Sequence, residues 1–319
     1  MAISKEYLIQ ARNELEQLRS ENRRNEFKRR AEVLEKIPEY GNLEIKLAES
    51  MSKVIALVAA KSPDTAEKLA AVSEENLAVQ RKMEQLLTEN GYDKNYLDQI
   101  YTCKKCADTG VVDGEWCECL KKRAHKLAAD ELNKRSPLKL CSFENFELSL
   151  YSDVQKNGTS PREEMKNNFR ICVDFAENFK GNEKGLLMTG GTGLGKTHLS
   201  LSIAKKVIEK DFCVVYCSSP ELLRTIDNEQ FGRIEGDTMS VVTSCDLLVL
   251  DDLGAENSSE RNSSLLYEII NGRLCRSLPM IINTNLSAGE LNSRYNERLF
   301  SRLFSMEVLF FNGNDNRLK

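Results

Sequence analysis

Two stretches of this chain have residue types and spacings suited to handling a nucleotide. The first is Gly190-Gly191-Thr192-Gly193-Leu194-Gly195-Lys196-Thr197. It comes after the short apolar run 185–189 and precedes a helical pattern that begins at His198, the strand–loop–helix setting of a phosphate-binding loop. Glycines there let backbone N–H groups wrap a phosphate chain, and the helix N-terminus adds a partial positive charge. In such a loop Lys196 reaches the β- and γ-phosphates of ATP, and the Thr197 hydroxyl ligates Mg2+. The second stretch, Leu247-Leu248-Val249-Leu250-Asp251-Asp252, places Asp251 55 residues after Lys196. Four apolar residues ending on two acids read as a buried parallel strand with its carboxyl edge at the ligand. Asp251 then holds Mg2+ through water, and Asp252 orients or deprotonates the attacking water.

A third group points to a metal. Cys103-Lys-Lys-Cys106 and Cys117-Glu-Cys119 put four thiols within seventeen residues, astride a Gly-containing hairpin. One tetrahedral Zn2+ suits this set and would supply folding energy to a module too small to hold a core. A redox pair is the alternative, because one of the two pairs is Cys-x-x-Cys, and His125 stands close enough in sequence to substitute as a ligand.

The elements that must position these groups can be read from periodicity and breakers. Residues 4–36 contain no Gly or Pro and repeat Leu8, Ala11, Leu15 and Leu18 at helical spacing. Pro38 and Gly41 punctuate, and a second helical stretch carries Ile45, Ala48, Met51, Ile55 and Val58 on one face. Ser62-Pro63-Asp64 opens a third helix that stops at Asn90-Gly91. Such helices either bury their own stripes or offer a surface to a partner protein. From Leu120 to Lys139 the chain is basic (Lys121, Lys122, Arg123, Lys126, Lys134, Arg135) and reads as a helix running into a linker at Ser136-Pro137. A run of this kind is a solvated face or a phosphate contact.

Beyond it, apolar runs at 185–189, 212–217 and 280–282 alternate with helical stretches, the α/β pattern of a parallel sheet. The segment 227–240, polar with two glycines, reads as a surface loop. The strand at 280–285 ends Asn283-Thr284-Asn285, which sets an amide beside the γ-phosphate if it lies next to the acid-bearing strand. Glu297-Arg298-Leu299-Phe300-Ser301-Arg302 puts two arginines one helical turn apart.

Composition sets outer bounds. The chain has 319 residues, 41% hydrophobic and 29% charged, with net charge −4, and no apolar run approaches the ~18 residues of a membrane span. The polar start Met1-Ala2-Ile3-Ser4 is no signal peptide, so a cytoplasmic location with ten reduced or metal-bound cysteines is expected. The acidic balance argues against a dedicated DNA-binding domain and leaves local or shared contact with DNA.

Together these residues resemble the small AAA+ ATPases of the DnaC/DnaI helicase-loader family, which also includes IstB-type proteins. The shared features are the phosphate loop with Thr-His-Leu after Lys196, Asp251-Asp-Leu-Gly-Ala-Glu256, Thr284-Asn-Leu286 and Glu297-Arg-x-x-x-Arg302. The likeness covers residues 100–319; Tyr96-Leu-x-x-Ile-Tyr-x-Cys103 and the cysteines are similar to the DnaI-type branch, and the first ninety residues match only in being helical.

The resemblance implies a P-loop AAA+ parallel sheet flanked by helices, preceded by an all-α region and a small zinc module. The corresponding divisions are 1–100 (helical, partner docking), 101–120 (zinc held by four cysteines), 121–142 (basic helix and linker) and 143–319 (ATPase). It implies Asn285 as sensor 1, Arg302 as an arginine finger given to a neighbour's ATP with Arg298 as the second candidate, and Arg317 as sensor 2. It also implies ATP, Mg2+ and Zn2+ as cofactors, with a hexameric replicative helicase, single-stranded DNA and other copies of the chain as partners.

Many AAA+ proteins carry Glu after the first acid. Asp252 is a methylene shorter, which implies slow hydrolysis and leaves Glu256 open as a helper. An IstB-like transposition helper and a non-hydrolysing nucleotide switch are the alternatives; the former usually lacks the cysteine cluster.

Overall fold

Uninterrupted Glu, Lys, Arg and Leu form the first helix, α1 (Lys5–Lys36), in a computed structural model that describes residues 5–60, 64–134, 141–154, 160–313 and 315. The expected breakers Ser62-Pro63 and Ser136-Pro137 lie outside the described residues, as do Arg135 and Arg317. The chain divides into two units, one of Arg12–Cys117 and one of Glu118 onward together with the start of the chain to Ala11.

In the first unit Pro38 opens α2 (Pro38–Ala60), where its missing N–H costs nothing. Gly41, expected to punctuate, lies inside α2. An added Cβ there would stand 3.0 Å from Leu34 Cδ2, so glycine permits close approach of α1 and α2. The third helix, α3 (Thr65–Glu89), ends at Asn90 and at Gly91 with φ +81°, as its sequence implies. Val33, Ile37, Tyr40, Val79, Met83 and Leu87 form a small core, closed by Tyr92 and Tyr96, whose hydroxyls both donate to the Glu32 carboxylate.

Of the two outcomes open for the apolar stripe of α2, burial within the unit or exposure at the surface, the structure shows the second. Ile45, Met51, Ile55 and Val58 are 54–66% exposed, while Leu43 and Leu47 pack on the core. Two apolar rows wind along this helix, and the row chosen by periodicity is the outer one. The unit ends in a hairpin of β1 (Val111–Val112) and β2 (Glu115–Trp116), turned by Asp113 and Gly114, both at positive φ.

The second unit begins with α4 (Glu118–Asn133), the basic stretch. Lys121, Lys126 and Lys134 pair with Glu118, Asp211 and Glu131, the behaviour of a solvated face. After it come α5 (Pro161–Glu177), β3 (Leu186–Gly190), α6 (Lys196–Glu209), β4 (Val214–Ser218), α7 (Ser219–Gln230) and α8 (Thr238–Ser244). The chain continues through β5 (Leu247–Leu253), α9 (Glu260–Cys275), β6 (Met280–Thr284), α10 (Ala288–Arg294), α11 (Glu297–Leu303) and β7 (Glu307–Phe311). The segment expected as a loop from 227 to 240 is helical at both ends, which narrows the loop to 231–237.

Strands β3–β7 form one parallel sheet in the order β4-β5-β6-β3-β7, with helices and an apolar core on each face. A fully buried arginine, Arg273 on α9, braces one face. It donates to the carbonyls of Val242 and Pro279, each at 2.7 Å. Arg273→Ala removes the stronger donor from each carbonyl and leaves a cavity, and should lower unfolding stability by about 3 kcal/mol in denaturant titration.

Candidate nucleotide site

Every side of the candidate site is set by the order of the sheet. Because β6 lies between β3 and β5, the phosphate loop after β3, the acids on β5 and the amides after β6 open onto one cleft of about 710 Å³. Gly190 holds φ +147°, and a Cβ there would overlap the Phe311 carbonyl. Gly195, at φ +89°, caps α6, and a Cβ there would meet the Tyr151 hydroxyl at 2.6 Å. These two glycines are demanded by the backbone as well as by the room a phosphate needs. The Lys196 ammonium sits over the loop and donates to the carbonyls of Gly190 (2.6 Å) and Gly191 (2.7 Å) and to Asn285 Oδ1 (2.9 Å). Phe146, Leu150 and Tyr151 also line the cleft, close to Gly195, and offer an apolar and aromatic surface of the kind a base stacks on.

Asp251 is 4% exposed. Its Oδ1 accepts from Asn283 Nδ2 (3.0 Å), Thr197 Oγ1 (3.4 Å) and the Asp252 N–H (3.0 Å), and its Oδ2 accepts from the Tyr216 hydroxyl (2.7 Å). Thr197 and Asp251, chosen from sequence as the Mg2+ pair, therefore face each other. Asp252 stands in a bulge, where β5 has two residues between Leu250 and Leu253 against one, Asn283, between their partners on β6, and takes φ +54°. That strain, of order 1 kcal/mol, turns its side chain out into the cleft while Asp251 stays in.

Asn285, chosen as sensor 1, lines the cleft and holds Lys196. Arg298 and Arg302 are exposed on α11, and neither lines the cleft. The structure thus gathers Lys196, Thr197, Asp251, Asp252 and Asn285 and leaves the two arginines apart. Glu256, considered as a helper to Asp252, is turned away. It is 5% exposed and occupied by Ser219, Gly254, Arg294 and Tyr295. Burial opposes its ionisation, but donors from Tyr295, Gly254 and Ser219 outweigh that and hold its carboxyl below the usual range. Its contribution to stability is therefore complete above the usual glutamate range and is lost as pH falls through the lowered folded value.

In the cysteine cluster, Cys103, Cys106, Cys117 and Cys119 bring four sulfurs within 4.8 Å of one another, with Cys103 and Cys117 at 3.9 Å. A metal–sulfur length of about 2.3 Å puts tetrahedral sulfurs about 3.8 Å apart, so the set fits one ion. His125 lies elsewhere, its Nδ1 3.2 Å from Ser244 Oγ.

Residues 165–310 match the model of the IstB-like ATP binding protein family. Among curated proteins, the chain is 28% identical over 130 residues to the replicative helicase loader DnaI of Bacillus subtilis strain 168 and 23% identical over 165 residues to the replicative helicase loader DnaC of Escherichia coli strain K12. The chain is a homologue of the DnaC/DnaI helicase loaders. The aligned segments cover 40% and 51% of this chain, and 42% and 62% of those relatives. A crystal structure of the DnaC helicase loader aligns over 56% of this chain and 99% of that one, with a TM-score of 0.48 and 23% identity. The segment that matches the IstB-like ATP binding family includes the phosphate loop, Asp251, Asp252 and Asn285. Among the described residues no helix is long and apolar enough to cross a membrane.

Two residues at the candidate site were missed from sequence. Asn283 is 1% exposed and splits its amide between Asp251 and Ser200 Oγ (2.8 Å). Its place two residues before Asn285, on the same strand face, was the available signal. Tyr216 had none, because a tyrosine in an apolar strand reads as core. Burial and the charge of Asp251 raise its phenol, so it stays protonated and donates. Tyr216→Phe should raise the Mg2+ concentration needed for half-maximal ATP binding several-fold, measured by Mg2+ titration with a fluorescent ATP analogue.

Proposed function

We propose that this chain is an ATP-dependent loader that binds the replicative DNA helicase through its N-terminal region and helps place it on single-stranded DNA. The observation that carries the reading is the division of labour at the nucleotide site. Lys196, Thr197, Asp251, Asp252 and Asn285 converge on one cleft, whereas Arg298 and Arg302 are exposed and outside it. An arginine that acts on a nucleotide from there acts on a neighbour's, so the site implies self-association. Arg302 is the finger, with Arg298 the second candidate, and Arg317 serves as sensor 2.

In the cleft, Lys196 and the loop N–H groups hold the phosphates, Thr197 and Asp251 hold Mg2+, Asp252 orients water and Asn285 senses the γ-phosphate. Mg2+ held there would supply neutralisation of the charge on the phosphates. Hydrolysis is slow, since Asp252 reaches a methylene less far than glutamate. Asp252→Asn should abolish what turnover there is while leaving ATP binding intact. Equal turnover in both proteins would turn the reading toward a nucleotide switch that does not hydrolyse.

The partner is named by homology, because the relatives are loaders of replicative helicases. The exposed row Ile45, Met51, Ile55 and Val58 on α2 is an apolar face of the kind that marks a protein contact. The full chain should co-purify with the cognate replicative helicase, and Met51→Asp with Ile55→Asp should weaken that binding at least tenfold at unchanged melting temperature. Failure of the unaltered chain to bind the helicase would overturn the loader reading. The IstB-like match over 165–310 favours a second reading, delivery of DNA to a transposase.

Zn2+ is the ion for the cysteine cluster, on the chemistry of four thiolates. Metal analysis should give about one zinc per chain, and chelation should unfold the hairpin around β1 and β2. A metal-free protein with that hairpin folded would refute the site.

A further inference from the structure

Glu256 is a buried carboxylate near the cleft that the nucleotide does not need. Its two oxygens look in different directions. Oε2 accepts from the Gly254 N–H (2.9 Å), in the loop directly after Asp251 and Asp252, and from Ser219 Oγ (2.8 Å) at the start of α7. Oε1 accepts from the Tyr295 hydroxyl (2.5 Å) and from Arg294 Nε (3.4 Å), at the end of α10. The Arg294 guanidinium also donates to the Glu256 carbonyl. Charge-assisted bonds of this kind, shielded from water, are the strong ones, and a buried carboxylate deprived of its donors is costly. The carboxylate therefore fixes three segments against one another.

The residues just past α10 give the arrangement its meaning. Tyr295 is 5% exposed, Asn296 caps α11 by accepting from the Leu299 N–H (2.9 Å), and Arg298 comes two residues after that cap. There is no slack between the Glu256 contact and the arginine-bearing helix. On the other side, Gly254 takes φ +100° hard against Leu286, and Thr284 Oγ1 donates to the Leu253 carbonyl (2.7 Å), so the loop also rests on the end of β6. A displacement of the acids on β5 has a short, bonded route to α11.

We propose that Glu256 is a positioning residue that ties the loop behind Asp251 and Asp252 to α11, so that Arg298 and Arg302 are presented to a neighbouring copy only while that loop is in place. The inference rests on the reading that these arginines complete a neighbour's site. Glu256 then has no part in its own chain's nucleotide binding and no contact with the neighbour's nucleotide, yet it sets what one chain does for the next.

The test uses full-length chains in defined mixtures. An acceptor carrying Arg298→Ala and Arg302→Ala keeps its nucleotide site and offers no arginine. A donor carrying Lys196→Ala offers its arginines and cannot hold ATP. Mixed, the two restore ATP turnover. Adding Glu256→Gln to the donor should cut the restored turnover at least tenfold, while adding it to the acceptor leaves turnover within twofold; Tyr295→Phe in the donor gives a smaller loss in the same direction. Unchanged turnover with the altered donor, or equal loss in both positions, overturns the proposal, the second because it marks damage to the fold alone. Absence of any restored turnover overturns arginine sharing itself. Hydrogen exchange of residues 297–303 in the unmixed chain reads the tie separately. Glu256→Gln should speed it at least tenfold with residues 247–251 unchanged, and unaltered exchange shows that the tie does not exist.

Discussion

The larger unit is organised around a buried carboxylate. Asp251, at 4% exposure, would cost several kcal/mol if its oxygens lacked donors, and those donors come from four places: Tyr216 on β4, Asn283 on β6, Thr197 on α6 and its own neighbour's N–H. The strand order β4-β5-β6 and the register between these strands are what deliver them together. A slip of one residue would carry Asn283 and Tyr216 to the opposite face and leave the charge unmatched. The same register sets the bulge at Asp252, so one arrangement supplies both a fixed acid for a metal and a second acid turned into the cleft.

The arginines obey a different logic. Positive charge at the glycine loop comes from Lys196, held by two carbonyls and Asn285. Arg298 and Arg302 stand exposed on a short helix that anchors itself through buried Leu299 and Leu303 and half-buried Phe300. If these arginines act on a neighbour's nucleotide, as proposed, their separation from the cleft would make nucleotide chemistry depend on assembly. In such a design the segments that join the two parts, here the Glu256 cluster, matter as much as the groups that touch the ligand.

The N-terminal unit shows the opposite balance of burial. Its core is small, pinned by Tyr92 and Tyr96 on Glu32, while α2 leaves a row of large apolar side chains in water. A module with few core residues gains from a metal, and four sulfurs at near-tetrahedral spacing are the means by which the 103–119 segment can hold its hairpin.

The sequence alone determined the features whose physics is local. The glycines of 190–195, the run 247–252, the ends of α1 and α3 and the cysteine spacing each depend on a few adjacent residues, because backbone conformation, strand burial and ligand spacing are set within that span. The features that only the tertiary structure decided depend on partners far along the chain. Which of two apolar rows on α2 is buried turns on where α1 and α3 lie, since both rows have helical period. Whether Gly41 breaks a helix or lets two approach turns on Leu34. That Asn283 and Tyr216 serve Asp251 comes from strand order and register, and that Glu256 meets Ser219, Arg294 and Tyr295 rather than water comes from the packing of α7 and α10 beside the loop after β5. Those are settled by the fit of whole surfaces, which no window of sequence contains.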